Sequence, residues 1–371
     1  MVQFKNKNNM IVIGFCFVFN FFGSVFANTL TPQFENEWGK VVERVNDPVN
    51  GSQIDKILIY SPKNEETTEK IVRHGVIMHH KDAVATVVFC HGFMCDKFDI
   101  AFLCSLFPKK KFNYVLFDFR GHGENAEGQQ CTLGKNEALD VISTVKFAKS
   151  HPQLINKPMI AYAFSMGAVS AIEAQAKDGS LFTGMILDCP FDSTENVLRQ
   201  CLEGLRFSFM GYQFGLPGKD LLAKYVFHPY MQSLLKLALR TVAHVDFKNI
   251  DLDVQPVRPA ESAAKIKVPC FFIHCKNDEK ISVDAVKTVY NAVGGYKTLW
   301  LTEGRKHYDS VFYNHGAYKK NVREFAYNLV FGRLPADYDK KIIEDQDDML
   351  SIVKKEAQQA VEVAKAIEVP S

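Results

Sequence analysis

The stretch KPMIAYAFSMGAVSAIEAQA, Lys157 to Ala176, changes its hydrophobic period halfway along. Met159 to Phe164 is an unbroken apolar run, the pattern of a strand buried on both faces. From Met166 onward the residues read as a helix. Ser165 stands at the junction, with Gly167 two residues later. A serine on a strand-to-helix turn fits the nucleophile elbow G-x-S-x-G, with Ala163 in place of the first glycine. Such a turn lifts the hydroxyl above the sheet edge and aims the N–H of Met166 and the helix N-terminus at developing negative charge. Taken alone, the stretch fits a plain turn serine equally well.

On either side, strand-like and helix-like runs alternate. AVATVVFC (Ala83 to Cys90), NYVLFDF (Asn113 to Phe119), FTGMILDCP, VPCFFIHC and KTLWLTE read as strands. The segments after Thr132, from Ser282 and from Ala317 have helical spacing. This alternation predicts an α/β fold: a mainly parallel central sheet with helices on both faces, within one large domain spanning 28–332. The alternation stops over about 195–267, an aromatic-rich stretch read as an inserted helical cap. The charged, alanine-rich stretch 333–371 reads as a C-terminal helical tail with a thin apolar stripe.

Ligands of parallel sheets bind at the carboxyl ends of the strands. The polar residues expected there are His91-Gly92-Phe93, Asp118 to His122, Ser165, Asp188, Asp278 and His307. A serine hydroxyl needs a base, and the base needs an acid to orient it. His307 follows one strand, Asp278 follows the strand before it, and the order serine, acid, histidine is that of an α/β-hydrolase triad. Asp188 is a second candidate acid, since it also ends a strand. The oxyanion donors expected are the backbone N–H groups of Met166 and of Phe93, the latter because Gly92 lets the loop turn. His91, Arg120 and His122 read as residues that fix loops.

The first 27 residues combine Lys5 and Lys7, an apolar run and a small residue, Ala27, at a cleavage position. This predicts a signal peptide over 1–27 and an exported chain, periplasmic or extracellular; an uncleaved anchor is the alternative. Lysine plus arginine is 44 against 42 acids, so the exported remainder is balanced and calls for no nucleic acid or charged membrane partner. Of nine cysteines, Cys90, Cys189, Cys270 and Cys275 lie in or beside strand-like runs and read as small buried hydrophobes rather than disulfide partners. No C-x-x-C pair or zinc-spaced Cys/His cluster is present, and neither a metal nor an organic cofactor is implied.

FCHGF, LFDFRGHGEN, AYAFSMGA, LDCPFDS, FFIHCKNDEKIS and EGRKHYDS together resemble the α/β-hydrolases. The resemblance runs from Ile54 to Phe331 and is nearest to the bacterial serine aminopeptidase-like and Bem46-like branch. It implies that Ser165, Asp278 and His307 are nucleophile, acid and base, with Phe93 and Met166 at the oxyanion. The activity expected is hydrolysis of a small carboxylic ester or other acyl substrate. A peptide or aminoacyl amide substrate on the same triad is the alternative, followed by a non-catalytic binding protein on the same scaffold.

Overall fold

The computed structural model describes residues 34–47 and 52–345, apart from 205, 210–211, 216–217, 219–220, 222–223, 226, 242–249 and 305. The signal peptide expected over 1–27 and the tail beyond 345 lie outside the described residues. No helix among the described residues is long and apolar enough to cross a membrane.

The strands are β1 (Glu35–Asn36), β2 (Gly39–Asp47), β3 (Ser52–Pro62), β4 (Lys70–His79), β5 (Ala85–Cys90), β6 (Phe112–Phe117), β7 (Gln130–Cys131), β8 (Met159–Phe164), β9 (Gly184–Asp188), β10 (Arg206–Phe209), β11 (Tyr212–Gly215), β12 (Asp251–Leu252), β13 (Cys270–Cys275), β14 (Lys297–Thr302) and β15 (Lys341–Glu344). Eleven of them form one sheet in the order β1-β2-β3-β4-β6-β5-β8-β9-β13-β14-β15. The first four pair antiparallel, as do β4 and β6. From β6 to β15 all pairs are parallel.

The helices are α1 (Glu137–Ser150), α2 (Met166–Lys177), α3 (Thr194–Gly204), α4 (Pro229–Thr241), α5 (Pro259–Ala263), α6 (Val283–Ala292), α7 (Ser310–Tyr313) and α8 (His315–Val330). Every residue of β5, β6, β8, β9, β13 and β14 is buried, which is why these strands are continuous apolar runs in the sequence. One core lies between the sheet and α1, α2 and α6. The other lies beneath α8 and the 3-10 turn Ala101–Leu106, on the opposite face. Ser282 and Asn314 accept from Ala285 and Ala317 N–H and start α6 and α8 where the sequence turns helical.

The expected helical cap is mixed: α3 and α4 flank a hairpin, β10 with β11. The expected helical tail is also corrected at its start. Lys341–Glu344 joins the sheet beside β14, with Trp300 Nε1 donating to Asp345 Oδ1 at 3.0 Å. Four residues carry too little periodicity to declare a strand, and their partners lie more than 40 positions earlier. At the far side, Asp55 of β3 is fully buried among Arg44 (Nη2 at 2.7 Å), His151 (Nε2 at 3.0 Å) and His79 (Nε2 at 3.3 Å), and pins β2, β4 and the end of α1 together.

Candidate active site

Strand order reverses at β5, which has β6 on one side and β8 on the other. The loops leaving β5 and β8 therefore diverge and open a crevice at the carboxyl edge of the sheet. Ser165 leaves β8 at φ 52 and ψ −125, a backbone setting rare for a residue with a side chain. Its N–H donates to Asp188 O at 2.9 Å, and its own carbonyl accepts the first amides of α2, from Ala168 and Val169. The serine is thus locked between β9 and the helix that it starts.

Two further strands bring its partners. His307 Nε2 lies 2.9 Å from Ser165 Oγ, and His307 Nδ1 lies 2.7 Å from Asp278 Oδ2. With Asp278 an anion, the imidazole proton sits on Nδ1, and Nε2 is left as acceptor for the serine hydroxyl. Asp278 Oδ1 accepts from the N–H groups of Lys280 and Ile281 at 2.8 and 3.1 Å. Burial raises the proton affinity of this carboxyl, but the bond to His307, the His307 charge and the Lys280 amide outweigh it, so its pKa falls below the usual value. His274, beneath it, donates Nε2–H to Ile281 O, and burial holds it neutral with a pKa of about 4.

Asp188 does not meet His307. Its Oδ2 accepts from the Tyr318 hydroxyl of α8 at 2.7 Å, and burial, together with the nearby charge of Asp278, pushes its carboxyl up to about 7. Of the two strand-end acids, Asp278 is the one the fold places on His307.

Phe93 lies in the loop after β5 and Met166 is the first residue of α2, where a helix leaves its N–H without an intrahelical acceptor. The two segments are pressed together: a Cβ on Gly167 would fall 2.2 Å from Cys90 O and 2.4 Å from His91 O. Three contacts hold the Phe93 loop. His91 Nε2 accepts from Phe119 N–H, and His122 Nε2 accepts from Met94 N–H. Asp118 accepts from both the N–H and the buried ammonium of Lys97. Arg120 is paired with the buried Asp140. His91, Arg120 and His122 are therefore loop-fixing residues, as expected, and Lys97 is an addition that nothing in its surroundings in the sequence marks.

Two other neighbours escaped the sequence. Cys189, at φ 46 directly after Asp188, places Sγ 3.9 Å from His307 Nε2. Tyr308 stacks on Phe164, the residue before the serine, with ring centroids 3.9 Å apart. Cys90, Cys95, Cys104, Cys131, Cys189, Cys270 and Cys275 are free thiols. A cavity of about 470 Å³ opens beside the Phe93 loop, against Met94 and His122, with Asp96, Asp99 and Glu127 in its wall and Ile250 of the cap across from them. Ser165 and His307 are not part of its wall.

Residues 81–211 match a family described as "Serine aminopeptidase, S33". The chain is similar to the uncharacterized protein YqkD of Bacillus subtilis (strain 168), 29% identical over 254 residues that make up 67% of this chain and 73% of that one. Among solved structures, the Pyrococcus furiosus esterase Pf2001 superimposes with a TM-score of 0.53 at 19% identity, over 82% of this chain and 99% of that one. An acetyl xylan esterase from Paenibacillus sp. R4 gives 0.51 at 15% identity, over 78% and 89%. Likeness at this level of identity shows a shared fold.

Proposed function

We propose, on the premise that the chain is a member of the α/β-hydrolase superfamily, that it is an exported serine hydrolase cleaving carboxylic esters. The observation that carries this reading is the unbroken line of hydrogen bonds Asp278–His307–Ser165, at 2.7 and 2.9 Å, on the carboxyl edge of the sheet. Ser165 Oγ attacks the acyl carbon as its proton passes to His307 Nε2. Asp278 holds the imidazole in the tautomer that can accept this proton and stabilises the imidazolium that forms. The N–H groups of Met166 and Phe93 receive the oxyanion, and removing one such donor lowers turnover by about 10²–10³-fold. His307 then protonates the leaving alcohol. Water, deprotonated by the same imidazole, releases the acid from Ser165. Export rests on the basic start and the apolar run that ends at Ala27.

A fluorophosphonate probe tests the nucleophile: wild-type protein is labelled at Ser165 and Ser165→Ala is not. Labelling that survives the substitution refutes the assignment. A second reading, hydrolysis of an aminoacyl amide on the same triad, is favoured by Asp96, Asp99 and Glu127, acids that would meet a substrate ammonium in the adjacent cavity. Rates on p-nitrophenyl esters and on aminoacyl anilides, measured side by side, separate the two.

A further inference from the structure

Cys189 is the nucleophilic group at this site that the reaction above leaves unused. Its Sγ is 3.9 Å from His307 Nε2, and Ser165 Oγ is 2.9 Å from the same nitrogen. A tetrahedral zinc ion, with Zn–S near 2.3 Å and Zn–N near 2.0 Å, sets its sulfur and nitrogen ligands roughly 3.5 Å apart, and its oxygen and nitrogen ligands roughly 3.3 Å apart. Both observed separations lie within a few tenths of an ångström of these values. Donor atoms of Cys189, Asp278 and His307 all lie within 4.8 Å of one another. The outer shell is already in place, because Asp278 on Nδ1 fixes the ring and turns the Nε2 lone pair outward, the arrangement that supports metal-bound histidines. The Asp278 carboxylate, 2.7 Å from the far nitrogen of the same ring, adds attraction for a cation.

We propose that a thiophilic divalent cation, Zn²⁺ or its surrogate Cd²⁺, binds between Cys189 Sγ, His307 Nε2 and Ser165 Oγ, with water as fourth ligand. Binding replaces the thiol proton by the metal: the S–H bond breaks, an S–metal bond forms and one proton passes to solvent. No electron changes hands. The metal takes the lone pair that accepts the serine proton, so it acts as a reversible off-switch and not as a cofactor. The fold assembles this site from residues 118 positions apart, which is why no ligand spacing shows in the sequence.

Only the inhibition rests on the proposed hydrolysis; the binding does not. The full-length protein is titrated with Cd²⁺ while the ultraviolet thiolate-to-cadmium charge-transfer band is followed, in wild type, Ser165→Ala, Cys189→Ser and Cys189→Ala. Near-ultraviolet circular dichroism verifies the fold of each, and either Cys189 variant that folds suffices. The expected result is a saturable band in wild type and Ser165→Ala that is lost in the Cys189 variants. Zn²⁺ inhibition of ester hydrolysis, scaled to each protein's metal-free rate, is expected to need at least about tenfold more metal in the Cys189 variants, since even outer-shell losses weaken metal sites 10–100-fold. No band in wild type, an equal band without Cys189 or an unchanged Zn²⁺ midpoint overturns the proposal. A wild-type protein that shows the band but hydrolyses nothing upholds the metal site and refutes the esterase reading.

Discussion

Gly167→Ala puts the geometry of the elbow under direct test. Gly167 is the second residue of α2, and the added Cβ would start 2.2 Å from Cys90 O and 2.4 Å from His91 O. Both obstacles are backbone, at the end of β5 and the start of the Phe93 loop, so neither can swing aside as a side chain would. Real Cβ contacts stay beyond 3.0 Å, and an opening of about 1 Å between loop and helix is required. That opening separates Met166 from Phe93, the two expected oxyanion donors. A displacement of this size costs about 10²-fold in rate, and a lost oxyanion donor about 10²–10³-fold. Overpacking takes roughly 1–3 kcal/mol from stability besides. The assay is steady-state hydrolysis of a p-nitrophenyl ester, with the rate of fluorophosphonate labelling and the melting temperature measured on the same samples. Turnover and labelling rate are expected to fall together by about 10²–10³-fold in a protein that is still folded, with KM changed much less. A folded variant with wild-type turnover refutes the idea that contact between the Phe93 loop and the start of α2 builds the oxyanion site.

Ala163→Gly, at the other shoulder of the elbow, removes a single buried methyl; activity is expected to stay near wild type, and a large loss of turnover counts against the proposed elbow. Asp278→Asn is expected to lower ester turnover about 10⁴-fold by admitting the wrong imidazole tautomer, whereas Asp188→Asn retains most of it, and the reverse order refutes the choice of acid. The Asp55 carboxyl is held far below its usual pKa: burial raises it, but the bonds from Arg44, His151 and His79 prevail. The unfolded chain therefore binds this proton more readily than the folded one, so the stability from Asp55 is present above about pH 4 and declines by about 1.4 kcal/mol per pH unit as pH falls below that. Asp55→Asn should cost about 3–5 kcal/mol at neutral pH, with the gap to wild type narrowing below pH 4 in urea titrations; a gap independent of pH refutes the ionic account. Ending the chain after residue 332 removes β15 and the partner of the Trp300 indole, and a lowered melting temperature is expected; an unchanged one refutes a structural role for that strand.

The parts of this fold that can be read from the sequence are those whose pattern is local. Ala85–Cys90 and Met159–Phe164 are buried on both faces and announce themselves as apolar runs. Ser165, Asp278 and His307 follow such runs, so their place at one sheet edge comes with the topology. What depends on remote partners is not legible. Asp188 stands as a second candidate acid beside Asp278 until Tyr318, 130 positions away, takes it up. β10 and β11 hide among aromatic residues that could equally face a helix groove, and β15 is too short to show a period. Cys189 reads as a core residue because it is one; only the packing of β9 against the His307 loop brings its sulfur to the imidazole.

Since β15 runs parallel to β14, it ends on the same rim of the sheet as the triad. Lys276, two residues before Asp278, bridges Glu303 after β14 and Glu344 at the end of β15, so that rim is cross-tied where the chain leaves it. A partner joined directly after Asp345 thus departs from the rim that carries Ser165, Asp278 and His307. Proteins meant to keep the crevice open are better tethered elsewhere, and a bulky partner placed directly after Asp345 becomes a ready means of shielding it.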